Sequence, residues 1–330
     1  MAYKILYIAN KPEVDGPLGC CPNYMWISKS FEELGHEIDV YNEADLIPRQ
    51  VVALSKSKDY DFILTEEARL AGDFKHDEER DKDILQKLFK DVMINVKMPI
   101  VAWLTNIFFS VYRREIQVKT NPIFKSDVVF TTDGGHDKEF KEAGVNHRLL
   151  RQGIYEPEAY ISEEKYPTEA QIGFIGAVYE NIWPYRKELV DFLTNEYRSK
   201  FHHFGERGDI RHDPLNRLVS TLKIVVGDSV ESPKYWSNRI YEMLGRGAFL
   251  IHPMIEGLDK EFTPYKHFIP YKYGDFKGLK EKIDYFLKNK KERDEIRQAG
   301  LEHCKKHHTY KIRVAQLIKT LEDEDIIKKK

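Results

Sequence analysis

Arg239 and Glu242 stand three residues apart in "SNRIYEMLGRGAFLIHP", a spacing that brings a guanidinium and a carboxylate to one side of a helix. An arginine placed so can neutralise a phosphate, and a carboxylate can accept hydrogen bonds from two adjacent hydroxyls, as an acidic residue does on a ribose in dinucleotide folds. The plainer alternative is a surface ion pair worth a few tenths of a kcal/mol. The sequence predicts a helix over 233–244, with Ser232 as N-cap and Pro233 at its first position. Its free N–H groups would suit an anion such as a diphosphate. Tyr235, Arg239 and Glu242 then line one face, and Ile240, Met243 and Leu244 another. On this reading Glu242 sits near the helix C-terminus, where the dipole disfavours a carboxylate by roughly 0.3–1 kcal/mol, and a bound ligand would offset that cost.

Other candidate residues follow predicted strands. Gly173 and Gly176 bracket "GFIG", where a glycine lets a ligand approach the backbone, and Arg186 beyond them is expected to be a solvated charge. In the first half, "NKPEVDGPLG" offers Gly16 and Gly19, and "TTDGGHD" offers Asp133 and His136 at a helix start. His136 could take a proton from an attacking hydroxyl.

These residues need a frame. "YKILYIA", "HEIDVY", "YDFILT", "PIVAWL", "DVVFTT" and "HRLLRQG" read as strands, separated by helical stretches that include 77–92. After a polar stretch at 156–170, expected to be a linker, the alternation resumes. "QIGFIG", a helix from Pro184 to Tyr197, "KFHHFG", "LKIVVG", "AFLIHP", "HFIPY" and a helix over 276–288 follow, then helical residues 292–320 broken at "HHTY" and a frayed charged tail at 319–330. Alternation of this kind implies parallel sheets covered on both faces. The expected fold is α/β with two Rossmann-like doubly wound domains facing a cleft, over 1–155 and 171–318, the last helix packing back on the first domain. Ligands of such sheets bind beyond the carboxyl ends of the strands.

Composition sets what is excluded. The 330 residues, 42% hydrophobic and 32% charged, suit two globular cores, and a net charge of −2 speaks against a surface built for polyphosphate backbones. Cys20, Cys21 and Cys304 form neither a disulfide framework nor a zinc spacing. "DYD" at 59–61 and "EDED" at 322–325 are badly placed for a metal, so none is expected. No signal peptide and no run of about 18 apolar residues occurs, which points to a cytoplasmic protein without a membrane span. A dinucleotide dehydrogenase would need a Gly-x-Gly-x-x-Gly turn, which is absent.

"SNRIYEMLGRGAFLIHPMIEGLDKEF", with Tyr271 to Asp275 and His308-Thr309-Tyr310 followed by Arg313, resembles the C-terminal half of spore-maturation (CgeB-like) glycosyltransferases of the GT-B fold. The resemblance covers about 170–318 and, through "PIVAWLTN" and "LLRQGIYEPEAY", more loosely the first half. It implies a metal-independent, retaining transferase without a cofactor, moving a sugar from a nucleotide-diphosphate donor to an acceptor hydroxyl. The donor set would be Gly176, Gly205, Ser229, Ser232, Asn238, Arg239 and Glu242, with Glu242 on the ribose, and the acceptor set Gly16, Gly19 and Asn106. Arg239, Asp133 and His136 are the catalytic candidates. Relatives often carry an acid at the position of Lys234 and an Asp at that of Asn106. The acceptor stays open among a glycan, a protein, a small molecule and a modified nucleobase in DNA. A non-catalytic nucleotide-sugar-binding protein is the other reading.

Overall fold

The computed structural model describes residues 2–9, 23–43, 46, 48–66, 90–105, 108–109, 114–178, 184–205 and 210–330. Gly16, Gly19 and Asn106, together with most of the helical stretch read at 77–92, lie outside them.

The chain forms two compact units, which divide its described residues at Arg151/Gln152 and again at Thr309/Tyr310. In the first, the strands are β1 (Lys4–Ala9), β2 (Glu37–Asn42), β3 (Phe62–Thr65), β4 (Ile100–Leu104), β5 (Val128–Thr131) and β6 (His147–Leu149). They pair in parallel in the order β2-β1-β3-β4-β5-β6. The inner strands β3, β4 and β5 are buried along their whole length, as strands covered on both faces must be, whereas the edge strand β2 is only partly buried. Helices α1 (Asn23–Glu33), α2 (Pro48–Ser55), α3 (Arg114–Thr120) and α4 (Asp137–Glu142) belong to this unit.

The second unit carries β7 (Ile172–Ile175), α5 (Pro184–Tyr197), β8 (Phe201–Phe204), α6 (His212–Thr221), β9 (Ile224–Val226), α7 (Arg239–Gly245), β10 (Leu250–Pro253), α8 (Leu258–Glu261), β11 (Ile269–Tyr271), α9 (Phe276–Lys288) and α10 (Lys290–His307). Its parallel sheet runs β11-β10-β9-β7-β8, so the chain leaves β7 first to one side and then to the other. The point where the winding reverses is the β7/β9 pair, and each sheet of this kind opens its binding crevice at such a point. The helices form as the sequence predicts where the signals are local. Pro184 opens α5, and the Asp275 side chain caps α9 by accepting from Gly278 N at 2.9 Å.

Three expectations are corrected. The helix predicted over 233–244 begins at Arg239, because Lys234 takes a left-handed φ of 50°, a conformation no right-handed helix can continue through. The buried Trp236 then folds back on the helix, its Nε1 donating to Tyr241 Oη at 2.8 Å. Glu242 thereby stands in the first turn, where the dipole favours a carboxylate, and the cost ascribed to it disappears. Ser232 and Pro233 do not open a helix, so they offer no N-terminal anion site, and Tyr235 shares no helical face with Arg239.

The second correction concerns residues 156–170, read as a linker. They are packed within the second unit: Glu158 pairs with the fully buried Arg246, and Ser162 N donates to Ser220 Oγ at 2.8 Å. Ile154 beside them fits against Gly245, where a Cβ would come within 2.8 Å of it, and bridges to Thr309. The third concerns the tail. Helix α11 (Tyr310–Asp323) returns to the first unit, where Tyr310 Oη donates to Asn23 Oδ1 at 3.0 Å and its ring packs near Trp26 and Trp103. Beyond it Ile327 is buried, Arg148 Nε meets Glu324 at 2.5 Å and Lys330 Nζ meets Asp61 at 2.6 Å, so the tail is held rather than frayed.

His147, His252 and His267 are buried, and burial lowers each from the usual 6.5 to about 4. A histidine whose folded pKa is depressed contributes stability that is present above the unfolded value and lost as pH falls towards the folded one. Stability should therefore drop between pH 6.5 and about 4, together by on the order of a few kcal/mol at pH 5. Denaturant midpoints at pH 7.5, 6 and 5 check this, and a flat profile would contradict the burial of neutral imidazoles.

Candidate active site

The carboxyl end of β9 continues into Gly227 and Asp228, and that of β7 into Gly176. Asp228 is buried and holds two guanidinium groups, one on each oxygen: Arg186 Nε donates to Oδ2 at 2.7 Å, and Arg239 Nη1 donates to Oδ1. Arg186, from the first turn of α5, also donates to Ala177 O at 2.6 Å. Both guanidinium groups lie near the Phe174 ring, at 5.9 and 5.0 Å from its centroid, close enough for a cation–π attraction. Burial pushes the Asp228 carboxyl upward, but Arg239 and Arg186 outweigh it and hold it below the usual carboxylate range. Two guanidinium groups thus meet on one carboxylate at the β7/β9 reversal.

Arg186 was expected in solvent, but only 8% of its surface is exposed. Its partner Asp228 gave no signal of its own in the sequence. The two are 42 residues apart, and only the closing of β7 against β9 brings them together. The glycine at the end of β7 also makes room for a side chain of this chain. Gly176 has a φ of 135°, and a Cβ there would collide with Arg239 Nη2. The space the missing side chain leaves is filled by the arginine.

Arg239 therefore pairs with Asp228 and not with Glu242, which removes the surface-pair alternative. Glu242 is partly buried and accepts from Asn238 Nδ2 at 2.8 Å. Burial pushes its carboxyl above the usual range, against the opposing pull of Arg246. Ser229 is buried, and its Oγ has no hydrogen-bond partner among the described residues. The Oδ1 of Asn238 is in the same state. Gly205, with φ 72°, lies beside the Gly176 backbone, and Ser232 is buried in the turn before α7. The structure thus brings Gly176, Gly205 and Arg239 together, and Asn238 with Glu242.

In the first unit Asp133 is fully buried, and its carboxylate accepts from Phe108 N and Phe109 N at 3.0–3.1 Å. These bonds hold the 108–109 turn, a structural role that the sequence did not suggest. His136 occupies the N-cap position of α4, stacks on Phe109 with centroids 4.4 Å apart, and approaches Glu139 at 3.4 Å. No group of three or more metal-ligating side chains is found among the described residues. None of their helices is long and apolar enough to cross a membrane.

Residues 186–319 match the glycosyl transferase-like family model, a stretch that contains Arg186, Asp228, Arg239 and Glu242. No curated protein is similar enough in sequence to match the chain. Among solved structures, a glycosyltransferase from Rickettsia africae is similar over 100% of both chains, at 12% identity and a TM-score of 0.65. A sucrose-phosphate synthase from Thermosynechococcus elongatus is similar over 98% of this chain and 99% of its own, at 12% identity and 0.65. The Anabaena protein HepE, solved in complex with UDP and glucose, is similar over 97% and 99%, at 13% identity and 0.62. These likenesses are of fold: the chain has the two Rossmann-like domains of GT-B glycosyltransferases, and the stretch that matches the glycosyl transferase-like model begins in the second unit and ends in α11.

Gly176→Ala should destabilise the protein by about 1–3 kcal/mol, since it adds backbone strain and displaces a buried guanidinium. Gly205→Ala, whose Cβ would meet nothing nearer than 3.5 Å, should cost only the left-handed strain of about 1 kcal/mol. Equal losses in the two denaturation midpoints would show that Arg239 does not rest where the structure places it.

Proposed function

We propose that the second unit binds a nucleotide-diphosphate sugar at the carboxyl ends of β7 and β9, and that the chain transfers the sugar to an acceptor hydroxyl. The observation that carries this reading is the placement of Arg239 and Glu242 on the first turn of α7, the arginine at the winding reversal of the sheet. The match of 186–319 to the glycosyl transferase-like model supports it independently.

In this reading Glu242 accepts hydrogen bonds from the two ribose hydroxyls, and its neighbour Asn238 fixes the carboxylate from the other side. Arg239 and Arg186 face the diphosphate. As the bond from the sugar C1 to the phosphate oxygen breaks, its electron pair stays with the diphosphate, and the sugar develops oxocarbenium-like character. A preformed positive cluster in a partly dry site stabilises the negative charge that grows on the leaving group without having to reorganise. The acceptor oxygen bonds to C1 and passes its proton to the departing phosphate oxygen. A metal-independent, retaining reaction of the spore-maturation type, in the cytoplasm, is the specific form proposed, and His136 is the candidate base if the reaction inverts instead. Lys234, where the resembled family often has an acid, favours a second reading in which the donor is bound but not turned over. A transfer or hydrolysis assay separates the two.

UDP, GDP, ADP and dTDP with their sugar conjugates, tested by thermal shift without divalent metal, should give one responsive nucleotide family. A ligand at 100 times its Kd raises stability by about 2.7 kcal/mol. Glu242→Ala should weaken that nucleotide roughly tenfold or more while the melting temperature without ligand stays near that of the wild type. Undiminished affinity in this variant would remove the ribose assignment.

A further inference from the structure

The arginines proposed to face the diphosphate are themselves held, and the group that holds them is one carboxylate. Each Asp228 oxygen is occupied by one guanidinium, Arg186 through Nε and Arg239 through Nη1. Arg186 is fixed a second time by Ala177 O, and Arg239 lies against the bare Cα of Gly176. A free arginine side chain has many rotamers, and ordering it on binding costs affinity. Here that cost has been met on folding. Asp228 follows the end of the central strand β9, between α5 and α7, and joins the two arginines.

Resting on the donor-site reading above, we propose that Asp228 is a positioning residue for diphosphate recognition: it fixes the Arg186 and Arg239 guanidinium groups at the carboxyl end of β9 so that they meet the phosphates already oriented. Electrostatics alone argues for the opposite sign. Removing an anion from a cationic site should strengthen its attraction for another anion. The two effects can therefore be told apart by direction as well as by size.

Asp228→Glu keeps the charge and moves it by one methylene, so a change in that variant comes from geometry. Asp228→Asn keeps the shape and removes the charge. The affinities of wild type and both variants for UDP, GDP, ADP and dTDP, and for the parent nucleosides, are measured by calorimetry after circular dichroism has shown which variants are folded. For the nucleotide that binds, both variants should lose roughly tenfold or more in diphosphate affinity, the loss of a charge-assisted hydrogen bond. Nucleoside affinity, which depends on Glu242, should be unchanged. Unaltered diphosphate affinity in the Glu variant, or tighter binding in the Asn variant, overturns the positioning role and leaves the donor site standing. Equal losses for nucleoside and diphosphate also overturn it, since they mark a general disturbance of the unit. If the Asn variant does not fold, the Glu variant decides alone. If neither folds, Arg186→Lys, which keeps the charge but loses the Nε contact to Asp228, must show the same selective loss, and its absence overturns the role. No diphosphate binding by the wild type defeats the donor-site reading, and this inference with it.

Discussion

Two guanidinium groups share one buried carboxylate where the second sheet reverses its winding, and the architecture around them follows from satisfying those three charges. A lone charge cannot be left in such a place, because removing it from water costs several kcal/mol. The sheet supplies the anion from the end of β9, and the helices α5 and α7 supply the cations from opposite sides. Phe174 adds its ring face beneath both cations, and Gly176 withdraws its side chain so that one of them fits. A buried ion cluster of this sort is weak evidence for stability and better evidence for a fixed geometry.

Much of this was legible in the sequence, and the legible part has a common character. Alternating apolar runs and helical stretches gave both parallel sheets, because that pattern depends on neighbours a few residues apart. Arg239 and Glu242 stood out for the same reason, being three residues apart on one turn. Pro184 marks a true helix start, since its ring and the open backbone of the first turn agree. Pro233 has the same local signal and marks none. The difference lies in Trp236, drawn by its burial and its bond to Tyr241, and in the left-handed backbone at Lys234, neither of which a propensity reveals.

What the sequence could not disclose was pairing across the chain. Asp228 and Arg186 are unremarkable in isolation, as are Arg246 and Glu158, 88 residues apart. Gly176 was noticed, yet its neighbour Arg239 was not foreseen, because a glycine announces that something comes close without saying what. Asp133 shows the same limit: an acidic residue at a strand end, beside a histidine, has the look of chemistry, and nothing local announces that its carboxylate also fastens the Phe108 and Phe109 N–H groups.

The return of α11 to the first unit sets an order of events during synthesis. Residues 152–309 leave the ribosome before Tyr310–Asp323 does, so the sheet that begins second has all its strands and α10 available first. The first sheet waits for Tyr310 to meet Trp26 and Trp103, and for Glu322 to reach Tyr3, at a distance of 319 residues along the chain. Domains commonly mature from the N-terminus onward as they are made. Here the half that starts the chain is the half that closes last, and a nascent chain stalled before residue 310 would expose the aromatic face of α1 while already carrying a complete arginine–aspartate cluster.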